Sequence, residues 1–412
     1  MTNKKEILLI APQPFFTQRG TPINVRAVAQ ALVEGGYAPT LLVYPFGEQI
    51  HLEGVEIART FCPPFVKGVS IGFSPVKIVL DICLFFSALK LVFIRKFSAL
   101  HGIEEGAFIA GILGMLRKIP YIVDLDSDMS QQMKSAKFPF SLVPQALYIS
   151  IERFFLRRAS LAIAVCRALT EKVRLLAPGL PVVQIEDIPV TEVLKLCPRN
   201  SPEELKRNLA PLGQKILLYT GNFEEYQGLD ILIEGFSRFV VLHNNSPRTS
   251  VNEIASMPPL KLIIVGGGEA AVTALRKKLS ESGLTDSLQL LGEQPINEIP
   301  AYEKCADLLI SPRKYGTNTP LKLYSYMASG VPILATDIES HTQILDDSSA
   351  FLFKPDADSL ARLLIQLLDD EDLLMMTGGR RAAKAKDIVD THYSWAAFSK
   401  KVSVAYSQVV RD

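Results

Sequence analysis

Three cations gather around one short polar loop in this chain. Arg313 and Lys314 precede it, Lys322 follows it, and the loop itself, residues 316–319, reads Gly-Thr-Asn-Thr. Gly, Thr and Asn favour a turn. Pro320 then fits the first turn of a helix, where its missing N–H has no partner to lose. Residues 321–328 read as that helix, closed by Ser329 and Gly330. Apolar runs at 306–310 and 331–335 flank it as buried strands. Strand, polar loop, helix and strand in that order aim backbone N–H groups and the positive end of a helix dipole past the strand end. With the cations alongside, the fitting guest is a phosphate or diphosphate. A plain helix-capping loop with solvated cations explains the same residues equally well.

A second constellation is acidic. Asp124, Asp126 and Asp128 alternate in the stretch Asp-Leu-Asp-Ser-Asp, which also holds Ser127, at the end of the apolar run 120–125. Three readings are open. One is a divalent-metal site, with only these three local ligands. The second is the D-x-D nucleophile loop of phosphatases of the haloacid dehalogenase type. Its downstream partner is missing, because Asp346–Asp347 lacks the expected preceding glycine. The third is the edge of a catalytic cleft with a polar capping turn.

These loops need elements to position them. Residues 6–11, 23–34 and 40–44 read as strand, helix and strand, with Arg19-Gly20-Thr21 between the first two and Thr21 as candidate N-cap. Alternation of strands and helices continues to about residue 185, loosens over 186–214, and restarts at 215. The strand 215–219 leads into the loop 221–228 (GNFEEYQG), and the strand 261–265 into Gly266-Gly267-Gly268-Glu269. Residues 243–259 read as a polar surface insertion. Two successive runs of alternating elements predict two Rossmann-like parallel-sheet domains, and every marked loop follows a strand, where such sheets bind ligands. The expectation is therefore an α/β fold whose domains face a central cleft.

Composition narrows the classes. The 412 residues are 48% hydrophobic, enough for two or three packed domains, and a net charge of +1 gives no nucleic-acid signature. Residues 1–190 carry 20 Lys/Arg against 15 Asp/Glu, while the remainder carries 24 against 28. The five cysteines are scattered and form no C-x-x-C pair, so neither a zinc site nor a disulfide framework is expected. The N-terminus enters a strand too early for a signal peptide, and the reading is a cytoplasmic chain. Residues 76–96 form the most apolar long segment, interrupted by Lys77, Asp81 and Lys90. Lys77, Asp81, Ala88 and Arg95 fall on one helical stripe. Such a helix is either buried core or lies on a membrane surface with its cations at the headgroups.

Taken together, these motifs resemble glycosyltransferase family 4, the retaining enzymes of the GT-B fold. The runs YTGNFEEYQGLDILIEGF, LIIVGGGE, YEKCADLLISP and residues 311–336 resemble that family's donor-domain elements. RGTPINVRAVAQALVEGGYAPTLL resembles its N-terminal strand–helix–strand, and HYSW with the final helix its C-terminal return. The resemblance implies an acceptor domain over 1–188, a donor domain over 189–392 and a returning helix over 393–412. It implies a hexosyl group moved from a nucleotide-sugar to a lipid-linked or glycan acceptor. The donor's own phosphate would assist deprotonation, with no cofactor and no required metal. Partners would be the nucleotide-sugar, that acceptor and an anionic membrane surface, with the protein peripheral at the inner face of the cell membrane.

By position the donor-binding residues would be Gly20, Thr21, Asn222, Gln227, Gly267, Gly268, Glu269, Arg313, Lys314, Thr317, Asn318, Thr319, Pro320, Leu321 and Ser325. Arg19, Asp124, Ser127 and Asp128 would meet the acceptor, and Asp126 and Lys322 would serve catalysis. The chain departs from the family where Asn222 and Gln227 replace an Arg and a Lys, Thr317 and Ser325 replace two glutamates, Arg19 replaces a glycine, and Asp126 replaces a histidine. Those departures keep two other readings open, a noncatalytic GT-B protein binding a sugar or partner, and a nucleotide-sugar epimerase.

Overall fold

The computed structural model describes residues 4–69, 74–129, 145–245, 259–280, 284 and 286–410. The chain forms two compact units, one of Met1–Asp187 with Trp395–Asp412 and the other of Ile188–Ser394.

The first unit is a seven-stranded parallel sheet in the order β3-β2-β1-β4-β5-β6-β7. Its strands are β1 (Glu6–Ala11), β2 (Ala38–Val43), β3 (Glu56–Arg59), β4 (Ala99–Ile103), β5 (Tyr121–Leu125), β6 (Leu161–Ala164) and β7 (Val182–Gln184). Ile7 through Ala11 are fully buried, as a strand covered by helices on both faces requires. The strand order reverses at β1, so its C-terminal end opens at the switch point where ligands bind in such sheets. The following helix runs Gly20–Glu34, one turn earlier than the sequence suggests. Arg19 is its N-cap without any side-chain cap, so Thr21 lies inside the helix rather than capping it. Gly20 has no atom within 4 Å of where a Cβ would stand, so its own unit does not demand glycine there.

Strand β4 is not evident from the sequence, because His101 and Gly102 interrupt its apolar run. Gly102 is needed because a Cβ would lie 2.4 Å from the Ala107 backbone. The returning helix Trp395–Val409 buries Phe398, Val402, Ala405 and Tyr406 in this unit.

The apolar segment forms the helix Pro75–Ile94. It is neither wholly buried nor conventionally amphipathic. Leu80, Leu84, Ala88 and Val92 form a buried stripe at i, i+4 spacing. The polar stripe also points inward: Lys77 pairs with Glu105, and the Tyr44 hydroxyl donates to Asp81. The face left outside is apolar, with Ile78, Ile82, Phe86, Phe93 and Ile94 exposed and Phe86 at 60%. Among the described residues, no helix is long and apolar enough to cross a membrane.

The second unit is a six-stranded parallel sheet in the order β10-β9-β8-β11-β12-β13. It uses β8 (Lys215–Thr220), β9 (Leu260–Val265), β10 (Leu288–Gly292), β11 (Leu308–Ser311), β12 (Ile333–Thr336) and β13 (Phe351–Phe353). Two helices lie outside the elements read from the sequence. Pro202–Leu209 starts at Ser201, whose Oγ accepts from Glu204 N at 3.1 Å. Gly378–His392 forms despite its two opening glycines. Most of the predicted insertion at 243–259 lies outside the described residues.

Candidate functional site

In the second unit the strand-end loops converge on the helix Leu321–Ser329. Its N-cap, Pro320, supplies no side-chain acceptor to the first turn, and Gly330 closes it in the left-handed region. The loop 221–228 is stitched to the loop after β11. Lys314 N donates to the Tyr226 carbonyl at 2.9 Å, and a Cβ at Gly228 would lie 1.9 Å from the Pro312 oxygen. Gly228 also has φ +73, so only glycine fits that crossing.

Lys322 is the focus of this region. Its stem is partly exposed, but its Nζ is closed off from solvent and has no hydrogen-bond partner. The ammonium stands 4.0 Å over the Tyr219 ring and packs on Gly221, where a Cβ would approach it to 2.8 Å. Burial first, then the Arg313 charge, pulls the Lys322 amine down to about 7 against the opposing pull of Glu303. Burial pushes the Glu303 carboxyl up to about 8. Thr319 Oγ1 and Gln227 Oε1 are likewise buried without partners. Lys322 Nζ and Thr319 Oγ1 thus lack hydrogen-bond partners at an uncapped helix start.

The other cations are already engaged. Arg313 is buried and commits its guanidinium to its own loop, donating to Tyr315 O at 2.9 Å, Asn318 O at 2.9 Å and Asn318 Oδ1 at 3.1 Å. It also lies 5.1 Å from the Tyr226 ring centre. It supplies positive potential and shapes the loop, so the expectation that it shares the role of Lys322 is narrowed to that. Lys314 pairs with Asp230 at 2.6 Å. Thr317 O accepts from Gln343 Nε2 at 2.7 Å, and Ser325 Oγ accepts from Val190 N at 3.4 Å. Asn222 is exposed, its Oδ1 accepting from Glu224 N in its own turn. Leu321 opens the helix. Gly267 and Glu269 line an open cavity of about 300 Å³ with Thr273, Arg276, Gly292 and Glu293, and Gly268 is exposed beside them. Tyr219 and Glu303 were not anticipated. Tyr219 sits in the strand-end run YTGN, while nothing in the sequence marks Glu303, a buried position of a short helix.

In the first unit the carboxylates of DLDSD diverge. Asp124 Oδ2 faces His101 Nε2 at 2.9 Å, Asp126 Oδ1 accepts from Asn24 Nδ2 at 3.0 Å, and Asp128 pairs with Lys172 at 2.8 Å. Ser127 Oγ donates to Glu104 Oε1 at 2.6 Å. Among the described residues, no group of three His, Cys, Asp or Glu is arranged to hold a metal ion. Asp126 is 8% exposed, and its Oδ2 is buried without a partner. Burial, followed by the charges of Asp124, Glu104 and Asp187, pushes its carboxyl well up, and the Asn24 bond only partly opposes this. Burial and the Asp124 and Glu186 charges push Asp187 to about 7. Burial and Glu105 push Glu104 to about 7, against the Ser127 bond and Lys77. A carboxyl that keeps its proton near neutrality both donates and accepts hydrogen bonds, which suits a hydroxyl-rich guest. Arg19 is exposed at the helix start, with Gly20 exposed and Thr21 partly buried beside it.

Two parallel sheets of this kind belong to the GT-B class. Sucrose-phosphate synthase from Thermosynechococcus elongatus superposes with a TM-score of 0.76 at 16% identity, over 99% of both chains. Anabaena HepE in complex with UDP-glucose superposes with a TM-score of 0.69 at 14% identity, over 98% of this chain and 100% of that one. Residues 200–384 match the family described as glycosyl transferases group 1. Phosphatidyl-myo-inositol mannosyltransferase from Mycolicibacterium smegmatis is 25% identical over 202 residues, 48% of this chain and 46% of that protein. D-inositol 3-phosphate glycosyltransferase from Corynebacterium aurimucosum is 24% identical over 216 residues, 50% and 47% of the two chains. The matches span about half the length of these curated relatives. The chain has the GT-B fold and resembles glycosyltransferase family 4.

Proposed function

We propose that the chain is a retaining glycosyltransferase that moves a hexosyl group from a nucleotide-sugar to a lipid-linked or glycan acceptor. The second unit holds the donor and the first unit the acceptor. The observation that carries this reading is the unpartnered Lys322 ammonium at the start of the Leu321–Ser329 helix. A diphosphate completes both at once, since it offers the ammonium an anion and the helix start an acceptor. The group 1 match over residues 200–384 covers the same elements. The enzyme's contribution is to position the reactants and stabilise charge on the departing diphosphate. Asp126 orients the acceptor hydroxyl through the oxygen it leaves unpaired.

The test is a thermal-shift screen with uridine, guanosine and adenosine diphosphates, followed by a nucleotide-sugar panel with and without acceptors. One nucleotide should raise Tm by mass action, and its sugar should turn over only with an acceptor. No shift at millimolar nucleotide supports the noncatalytic binder. A changed sugar without any acceptor supports the epimerase.

The acceptor is proposed to reside at an anionic membrane face, where the apolar side of the Pro75–Ile94 helix docks. Lys90 and Lys96 are exposed beside that face, and Arg117 lies 4.5 Å from the Phe93 ring centre. Arg95 is excluded from this role, because Glu6 and Glu56 hold it at 3.0 and 2.6 Å. Each cation near the surface contributes ~1 kcal/mol and inserted apolar side chains add to it. Co-sedimentation with anionic liposomes should fall with salt. It should drop when Lys90 and Lys96 become Gln, and drop further with Ile82→Glu and Phe86→Glu. No binding at low salt removes the membrane claim and leaves a soluble acceptor.

A further inference from the structure

The Lys322 ammonium is held by a ring rather than by an acceptor atom. Its Nζ stands 4.0 Å from the centre of the Tyr219 ring and has no hydrogen-bond partner. The face of an aromatic ring attracts a cation through its quadrupole, yet it presents no oxygen or nitrogen to engage an N–H. A carboxylate in the same place would cancel the charge and occupy the donors. The ring itself is fixed. Tyr219 is fully buried near the end of β8, in one apolar cluster with Leu232, Ile264 and Ile310. Its hydroxyl donates to the Asn222 carbonyl at 2.7 Å and so ties the ring to the loop 221–228. Burial, then the neighbouring Tyr326 and Tyr226, pushes its phenol well above the usual range against the pull of Arg313, so it meets the ammonium as a neutral ring. Gly221 closes around the pair. It has φ +143, and a Cβ there would lie 2.8 Å from Lys322 Nζ and 3.1 Å from the Tyr219 hydroxyl oxygen.

We propose that Tyr219 is a positioning residue for the diphosphate: its ring seats the Lys322 ammonium at the start of the Leu321–Ser329 helix and leaves the N–H donors uncommitted for the guest. The part concerning the diphosphate deepens the function proposed above and rests on it; the seat of the ammonium does not. A lysine side chain has many rotamers, and one already seated loses less affinity to ordering when its ligand arrives. Among the described residues, the ionisable groups that bear on the Lys322 amine are Arg313, in the loop after β11, and Glu303, in the helix Ile299–Cys305. His341, in the helix Glu339–Thr342, also feels the Lys322 charge, but burial above all pulls its imidazole down to about 3 and leaves it neutral at assay pH. None of the three is hydrogen-bonded to Nζ, which leaves the ring as its seat.

The test changes the electrons of the ring and not its shape. Tyr219→Phe is the reference, and phenylalanine carrying one, two or three ring fluorines at position 219 weakens the quadrupole in steps. Two quantities are read. One is the affinity for inorganic diphosphate, by calorimetry at pH 6.5. The other is the titration of the Lys322 amine without ligand, by nitrogen NMR, its signal identified by its loss in Lys322→Met. From phenylalanine to the trifluorinated ring the affinity should fall about 3- to 30-fold, the range of a desolvated cation–ring contact. The amine, which titrates near 7 in the wild type, should titrate at lower pH in the same steps. In a Lys322→Met background the fluorines should leave affinity unchanged. An amine titration indifferent to fluorine overturns the proposal. A loss in Tyr219→Phe as large as in its trifluorinated form also overturns it, by assigning the effect to the hydroxyl bond with Asn222. Affinity that rises with fluorination overturns it too, since the ring would then compete with the guest for the ammonium. If the amine follows the fluorines but wild-type protein binds no diphosphate, the seat stands and the proposed donor site falls.

Discussion

Lys322→Ala will weaken binding of the nucleoside diphosphate by roughly 1.5–3 kcal/mol, about 10- to 150-fold, the cost of one lost charge-assisted bond. Arg313 already directs three N–H donors to Tyr315 and Asn318, so it should compensate only in part. The variant separates binding from stability. In the free protein the ammonium is buried, has no hydrogen-bond partner and titrates near 7, so removing it should leave Tm of the free protein unchanged or higher. The Tm increase given by the nucleotide should shrink at the same time. The pH dependence follows from the same amine. It is charged below about 7 and loses its proton above, so wild-type affinity should decline from pH 7 to 9. Lys322→Ala should be flat over that range. Titration calorimetry at pH 6.5 and 8.5 measures both effects. Equal affinity of variant and wild type at both values would show that the diphosphate draws its charge from elsewhere.

Asp187→Asn should stabilise the first unit, by an amount that grows as pH rises from about 4 and levels off above about 7. The folded carboxyl titrates near 7 against 3.8 when unperturbed, so the folded state holds the extra proton between those values. Stability from this group is complete below pH 4 and is lost as pH rises through 7. At 1.36 kcal/mol per pH unit the penalty at pH 8 reaches about 4 kcal/mol, and relief of half or more of it is a gain of about 2–4 kcal/mol. For a unit of this size that is about 5–10 °C in Tm. Calorimetry at pH 4 and pH 8 should show the gain at the higher value and little at the lower. An equal gain at both would mean that the side chain acts through shape rather than charge.

The sequence already showed the alternation of strands and helices, the restart at 215 and the loop 316–319 with its helix 321–328, because these are local patterns of apolar spacing, Gly and Pro. It identified Asp126 and Lys322 as residues of interest, but not the reason each matters. The acidic cluster around Asp126 joins the ends of β4, β5 and β7, and Glu104 and Asp187 reach it only through sheet order. The Tyr406 hydroxyl and His101 Nδ1 are bonded across 305 positions, a distance no local pattern spans. The helix Pro75–Ile94 was ambiguous for a different reason. Helical spacing shows that one stripe is polar, but whether that stripe faces water depends on Tyr44 and Glu105 waiting inside.

The assignment of Trp395–Asp412 to the first unit has a consequence for biosynthesis. On the ribosome, Met1–Asp187 emerges with its sheet strands complete but with the seat of Tyr406 empty. The fully buried His101 of the finished unit then lies open to water, without its Nδ1 partner, while the second unit is made. All of Ile188–Ser394 can therefore fold before the first unit closes. The half of the protein that is translated first is the half that is finished last. During that interval the apolar surface later covered by Phe398, Val402 and Ala405 lies open, the kind of exposure that favours aggregation.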